Sequence, residues 1–200
     1  MPVFRDLEQR FTPSAATAWR AAERQVVELR HGWFGTEHLL LGLLADPGEP
    51  TARLLAEHGA RLHPMRARLR ELDGPAGAQN DEALLATLGV DLAAVRNKVT
   101  AAFGPDAVDE LYARRRRGRR RLAWGPLCGQ RVMPRLKLAL AEARKRADAR
   151  RSTQVTPSEL LAGLLSVEDS MAVRLLLAAG VDVAALRSIV DVEGVRHRSC

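Results

Sequence analysis

Gly35-Thr36-Glu37-His38-Leu39-Leu40-Leu41-Gly42-Leu43-Leu44 is the most apolar run in the chain. It opens with helix-start residues and ends at Asp46-Pro47-Gly48, where a helix does not easily continue. A helix of about ten residues that is apolar nearly all round is a buried central helix. Gly42 stands in its middle, where Gly costs on the order of 1 kcal/mol relative to Ala. A glycine there makes sense if another backbone crosses closely.

The same stretch recurs. A shift of 121 positions lays Leu39-Leu40, Gly42-Leu43-Leu44 on Leu160-Leu161, Gly163-Leu164-Leu165. With no gap, Arg53-Leu54-Leu55 falls on Arg174-Leu175-Leu176, Gly59 on Gly180 and Pro13 on Pro134. Between 13–62 and 134–183, 13 of 50 residues are identical, nine of them between Leu39 and Gly59. Identities that keep one frame mark a duplicated helical unit with an insert between its copies.

The 200 residues suffice for one or two domains with a real core. Aromatic residues are only 4% of the chain, and Ala, Leu and Arg dominate, which favours helices over a β-sandwich. The formal charge is +7, and seven of the eight residues Arg114–Arg121 are Arg, so this run equals the whole excess. Cys128 and Cys200 show no CxxC spacing. Neither a disulfide framework nor a thiolate metal site is indicated, which fits a reducing, cytoplasmic setting. Met1-Pro2-Val3-Phe4-Arg5-Asp6 has no apolar signal core, and no run reaches the roughly 18 apolar residues of a membrane span.

Thr12-Pro13 reads as N-cap and first helical residue. Ala16, Trp19, Ala22, Val26 and Leu29 follow at helical spacing, and Gly32 closes this helix. After the buried helix, Pro50 starts a third carrying Leu54 and Leu55, which Gly59 ends as a C′ residue. Leu62, Met65, Leu69 and Leu72 form a fourth, before the break at Gly74-Pro75-Ala76-Gly77. In the insert, Leu84-Leu85 and Gly89-Val90-Asp91 match Leu175-Leu176 and Gly180-Val181-Asp182, so it carries a partial copy of the unit. Asp91 and Asp182 fall where an N-cap is needed. Thr156-Pro157-Ser158-Glu159 is a capping box with proline at the first helical position. The tail after Asp191 is polar and expected to fray.

Phe11-Thr12-Pro13, the Gly35–Leu44 run, and Ala52-Arg53, Leu55 and Gly59 together resemble the Clp N-terminal repeat, the paired four-helix module at the front of Clp-family protein-unfolding ATPases. The second copy matches more weakly, through its Leu-Leu-x-Gly-Leu-Leu core and Gly-Val-Asp turn. The resemblance implies an all-α fold of duplicated four-helix repeats with pseudo-twofold packing, separated by a helical, Arg-rich insert. The expected boundaries are repeat 1 over 5–73, an insert over 74–131 (partial helical repeat 81–112, Arg-rich linker 113–131), repeat 2 over 132–192 and a tail over 193–200. In the family the two repeats follow each other directly, so the insert is a departure. No Gly-x-x-x-x-Gly-Lys-Ser/Thr loop is present to cradle phosphates. The resemblance is thus to a stand-alone Clp N-type module, of a kind resembling those of high-GC Gram-positive bacteria.

In some family members the glutamate of Gly-Thr-Glu-His helps bind phosphorylated arginine on proteins marked for degradation. The resemblance therefore makes Glu37, with Thr36, the ligand-binding candidate. A carboxylate can pair bidentately with guanidinium while helix-start amides hold phosphate. Glu37 equally suits the helix dipole. The matching position in the second copy is Ser158, so at most one such site survives. His38 reads as a half-buried histidine donating to backbone, and His58 and His63 lack further ligands for a metal. No catalytic constellation appears, and no enzyme activity, cofactor or metal is expected. Arg114, Arg115, Arg116, Arg117, Arg119, Arg120 and Arg121 can neutralise several phosphates, enough for weak, salt-sensitive, sequence-blind nucleic-acid binding, or form a solvated linker. The resemblance implies a non-catalytic interaction module of the Clp proteolysis system, partnered by a Clp unfoldase, its adaptors or its substrates, and acting as adaptor, competitor or decoy. The alternative is a nucleic-acid-associated protein using the arginine run. No membrane partner is expected.

Overall fold

The computed structural model describes residues 8–73, 91–103 and 131–196. Their elements are α1 (Pro13–Glu28), β1 (Trp33–Phe34), α2 (Thr36–Leu43), α3 (Pro50–Glu57), α4 (Leu62–Asp73), α5 (Leu92–Phe103), β2 (Arg131–Val132), α6 (Pro134–Ala149), α7 (Pro157–Ser166), α8 (Met171–Ala178) and α9 (Val183–Arg196). The chain divides into two compact units, Met1–Arg68 with Leu122–Cys200, and Leu69–Arg121, the border falling inside α4. The first unit contains the second repeat and the first repeat up to Arg68.

The duplication extends to the backbone. α1 ends at Glu28, and its C′ residue is Arg30, in the left-handed region at φ 57°. Arg151, 121 positions on, has φ 56° after α6. Both turns carry the paired bonds of a Schellman motif: His31 N–H to Val26 O and Arg30 N–H to Val27 O, then Ser152 N–H to Ala147 O and Arg151 N–H to Asp148 O. The first helix thus stops four residues before Gly32, the terminator expected from glycine's preference for this geometry. Gly59 and Gly180 do take the left-handed C′ role after α3 and α8, at φ 88° and 76°.

α2 packs chiefly on α1, and α7 on α6. Both central helices are buried almost throughout, Leu39, Leu40, Leu41, Leu160 and Leu161 at 0–1% exposure. Close helix approach explains both glycines. A Cβ on Gly42 would collide with the Ala18 carbonyl and the Ala22 backbone; one on Gly163 would meet the same groups of Ala139 and Ala143. Ala18/Ala139 and Ala22/Ala143 are themselves identical pairs at the same offset. Small residues on the facing helix are what let the backbones meet.

The repeats are knitted reciprocally: α2 also packs on α8, α7 also packs on α3, and α2 touches α7. Backbone pairing follows the same exchange. β1 and β2 pair in parallel with Phe34 opposite Val132, while Phe11 bridges Val155. Those partners interconvert under the 121-residue shift, and so do their bonds: Met133 N–H to Phe34 O at 2.9 Å and Thr12 N–H to Val155 O at 3.0 Å. The sequence predicts no strands, because two-residue pairings leave no alternation to read.

In the second unit, α5 begins at the expected cap, with Ala94 N–H donating to Asp91 Oδ1 at 2.9 Å. Asp182 repeats this with Ala185 N–H at 2.9 Å. α9 continues past Asp191 to Arg196, where fraying is expected from the polar sequence. The helix runs on through Gly194, and Arg146 bonds Asp191 across to α6. No described helix is long and apolar enough to cross a membrane.

Candidate functional site

The first turn of α2 is positioned from behind by an aromatic stack. Phe34 is fully buried, with its ring centroid 4.7 Å from that of Trp19, which lies 5.6 Å from Phe11. With Phe34 anchored and β1 paired, α2 must start at Thr36, and Thr36, Glu37 and His38 turn inward at 2%, 4% and 0% exposure.

Thr36 serves the join between repeats. Its hydroxyl accepts the Ala172 N–H at 3.3 Å, the amide of the second residue of α8. That places the side chain in the fold's interior, away from solvent.

Glu37 folds back over Gly35. The glycine's backbone is extended, at φ −116° and ψ −178°, so any residue could adopt it. A Cβ there would meet the Glu37 carboxylate, which lies over the glycine and would have to move aside. Glu37 Oε1 accepts the Trp33 indole N–H at 2.9 Å and lies 3.1 Å from His38 Nδ1. Burial pushes this carboxyl up, but the hydrogen bond and charge at His38, its own amide and the Trp33 indole outweigh that and hold it below its usual range. The carboxylate lies under a nearly closed surface. Among the described residues no Arg or Lys pairs with it.

His38 replaces a carboxylate in a capping box. Gly35 N–H donates to its Nδ1 at 3.1 Å, just as Thr156 N–H donates to Glu159 Oε2 at 2.7 Å in the second copy. The residue is fully buried and accepts from backbone, where the sequence suggests a half-buried donor. Nδ1 cannot accept from Gly35 and donate to Glu37 at once, so the two tautomers exchange a cap bond for a carboxylate bond. Nε2 lies 2.8 Å from His31 Nδ1, and that pair is satisfied in either tautomer. His31 also stacks on Trp33, centroids 4.6 Å apart and planes 18° apart.

His31, Glu37 and His38 each bring a donor atom within 4.8 Å of the others. Tetrahedral zinc with Zn–N bonds of about 2.0–2.1 Å would hold two ring nitrogens roughly 3.3 Å apart. The facing nitrogens here are closer, at 2.8 Å, and Glu37 Oε1 lies against the opposite edge of His38. This is the geometry of a hydrogen-bonded chain.

The second repeat gives the contrast. Glu159, one position on from the site matching Glu37, is 6% exposed and receives Arg150 Nε–H at 2.9 Å. A guanidinium of the chain itself neutralises that carboxylate. Trp33 and His31 carry no signal in the sequence reading. They lie four and six residues before Glu37, across a strand and a helix start, where no single periodicity links them. Arg114, Arg115, Arg116, Arg117, Arg119, Arg120 and Arg121 lie outside the described residues.

Comparison with known proteins places the molecule. The family model "Clp repeat (R) N-terminal domain" matches residues 10–81 and 131–196. Among solved structures, the N-terminal domain of the caseinolytic protease-associated chaperone ClpD from Arabidopsis thaliana is similar with a TM-score of 0.60 and 17% identity, over 92% of this chain and 94% of that one. A chain from structural work on a malarial protein secretion system is similar with a TM-score of 0.50 and 14% identity, over 92% of this chain and 95% of that one. At these identities the structures speak to fold alone. The family match covers both repeats and more than half of the sequence, and the chain belongs to the Clp repeat N-terminal domain family.

Proposed function

We propose that this protein is a non-catalytic receptor of the Clp proteolysis system whose first repeat binds phosphoarginine-bearing protein segments at Glu37. The family is the substrate- and adaptor-binding, non-catalytic part of Clp ATPases. The observation that carries the finer reading is the buried Glu37 carboxylate beside a helix start, with no Arg or Lys paired to it among the described residues. A guanidinium supplies charge and two parallel N–H donors to a carboxylate, a fork that the single indole N–H of Trp33 does not provide. The amides opening α2 favour the attached phosphate. Thr36, with its hydroxyl committed to Ala172, sets the position of Glu37. In this reading the molecule acts as adaptor, competitor or decoy for a Clp unfoldase.

Calorimetric titration of free phosphoarginine into wild type and Glu37→Gln tests the site. Binding by wild type that the variant loses is the expected result. No heat from wild type at millimolar ligand removes the reading. Capture from native lysate, with and without nuclease, then separates Clp components from nucleic acid as partners.

A further inference from the structure

We propose that Trp33 is a lid over the Glu37 carboxylate: its indole N–H holds the place of a ligand N–H, and a guanidinium enters by displacing it. This rests on the Glu37 reading above and concerns how that site is opened.

Glu37 is 4% exposed, so as it stands no ligand can reach both carboxylate oxygens. Among the described residues, three contacts lie against it. Gly35 lies beneath, with the carboxylate folded onto its α-carbon. His38 Nδ1 flanks it at 3.1 Å, and His38 is fully buried in α2. The third contact is the Trp33 indole, at 2.9 Å, and Trp33 is the half-exposed member of the set. Opening must therefore occur at Trp33.

The indole is held in a manner that permits this. The backbone around Trp33 is fixed by the parallel pairing with Arg131 and by Arg131 N–H donating to Gly32 O at 3.2 Å. Among the described residues, the side chain stacks on His31 and donates one hydrogen bond, to Glu37. Gly32 beside it is exposed, with nothing within 4 Å of where its side chain would be. Rotation about the Trp33 side chain thus needs no movement of the sheet or of α2. The exchange favours the ligand: one neutral N–H leaves, and a charged fork of two replaces it. It also gives selectivity. A ligand with phosphate but no guanidinium has no donor fork to put in the indole's place, and one with guanidinium but no phosphate leaves the helix-start amides unused.

The test compares wild type, Trp33→Phe, Trp33→Ala and Glu37→Gln with phosphoarginine, arginine and phosphoserine as probes. Trp33→Phe keeps a ring on His31 and deletes the N–H, so it separates lid from packing. The expected result is phosphoarginine binding about tenfold tighter, or more, in Trp33→Phe than in wild type, since a hydrogen bond to a charged group no longer has to be broken. In wild type, saturation with ligand should raise acrylamide quenching of the emission that Trp33→Phe lacks. Equal or weaker binding by Trp33→Phe, with Glu37→Gln still abolishing it, overturns the lid and leaves the Glu37 site standing. Unchanged quenching at saturation does the same. No binding by wild type or either Trp33 variant, with all folded by circular dichroism, overturns the Glu37 site and the lid with it.

Discussion

The α-carbon of Gly42 lies against the carbonyl oxygen of Ala18, and the contact is repeated by Gly163 and Ala139. Each glycine gives up helix propensity so that two helix axes can come together. Gly42→Ala gains on the order of 1 kcal/mol of local propensity. The new methyl, however, meets backbone that cannot yield without separating α1 from α2. The net expectation is a loss of about 1–3 kcal/mol, as for overpacked cores, and the same for Gly163→Ala. Urea unfolding of each variant measures it. A stability equal to or above wild type would show that the helices have room to part.

Thr36→Val keeps the shape and removes the oxygen that receives Ala172 N–H. One N-terminal amide of α8 then loses its partner in a buried place. The expected destabilisation is about 0.5–2 kcal/mol, the range for a lost cap. The reciprocal position in the second repeat is Pro157, which has no hydroxyl. Its opposite number, the first turn of α3, is capped from its own side by Glu49, whose Oε2 receives Thr51 N–H and Ala52 N–H. The join is therefore asymmetric, and the loss should be local to α8. Hydrogen exchange at Ala172 should quicken more than exchange at Thr51.

That asymmetry bears on how much could be read from sequence. The duplicated core was legible because one frame carries Leu-Leu-x-Gly-Leu-Leu, the C′ glycines and the Asp caps. The cost of Gly42 in a leucine run pointed to a close crossing, and Ala18 proves to be the crossing residue. Features that depend on partners far along the chain were not legible. Arg30 and Arg151 occupy left-handed positions although neither residue favours them, because the neighbouring Schellman bonds hold the turn. Phe34 and Val132 pair over two residues, too few for a strand pattern. At the site, Glu37 stood out through the family motif, but its burial did not. The Trp33 indole, stacked on His31, reaches the carboxylate only after β1 turns the chain back on α2.

Stability should fall as pH drops below about 6.5, because of His31. Burial, then the charge of His38, holds its pKa below the ordinary value, while Glu37 acts weakly in the other direction. The unfolded chain takes up this proton before the folded one does. Stability therefore rises with pH through the window between the folded value and about 6.5, is complete above it, and is lost as pH falls through the folded value. Glu37, also held low, adds a loss of the same sign that begins only below about 4.5. Urea midpoints from pH 7.5 to 5 should fall more steeply for wild type than for His31→Gln. Parallel curves would remove His31 as the source. Loss of the His31–His38 bond lowers the variant's whole curve, so the slope, not the offset, decides.

Replacing the seven arginines of Arg114–Arg121 by Gln should abolish nucleic-acid binding while leaving the melting temperature nearly unchanged. The run equals the whole formal excess of +7, so its removal brings the chain to formal neutrality. Both repeats build their cores without it, from helices within residues 13–73 and 134–196. Seven like charges in sequence repel one another and offer no apolar face to bury. If phosphate contacts are the source of affinity, wild-type binding to duplex DNA should weaken linearly in log–log with salt, at a slope of roughly −0.9 per phosphate contacted. Any sequence of the same length should bind alike, because nothing in the run can read a base edge. Filter binding at several salt concentrations, on wild type and the Gln variant, measures both. A variant that binds as tightly as wild type would move the nucleic-acid surface onto the repeats, where Arg144, Lys145 and Arg146 of α6 are the next cations to replace.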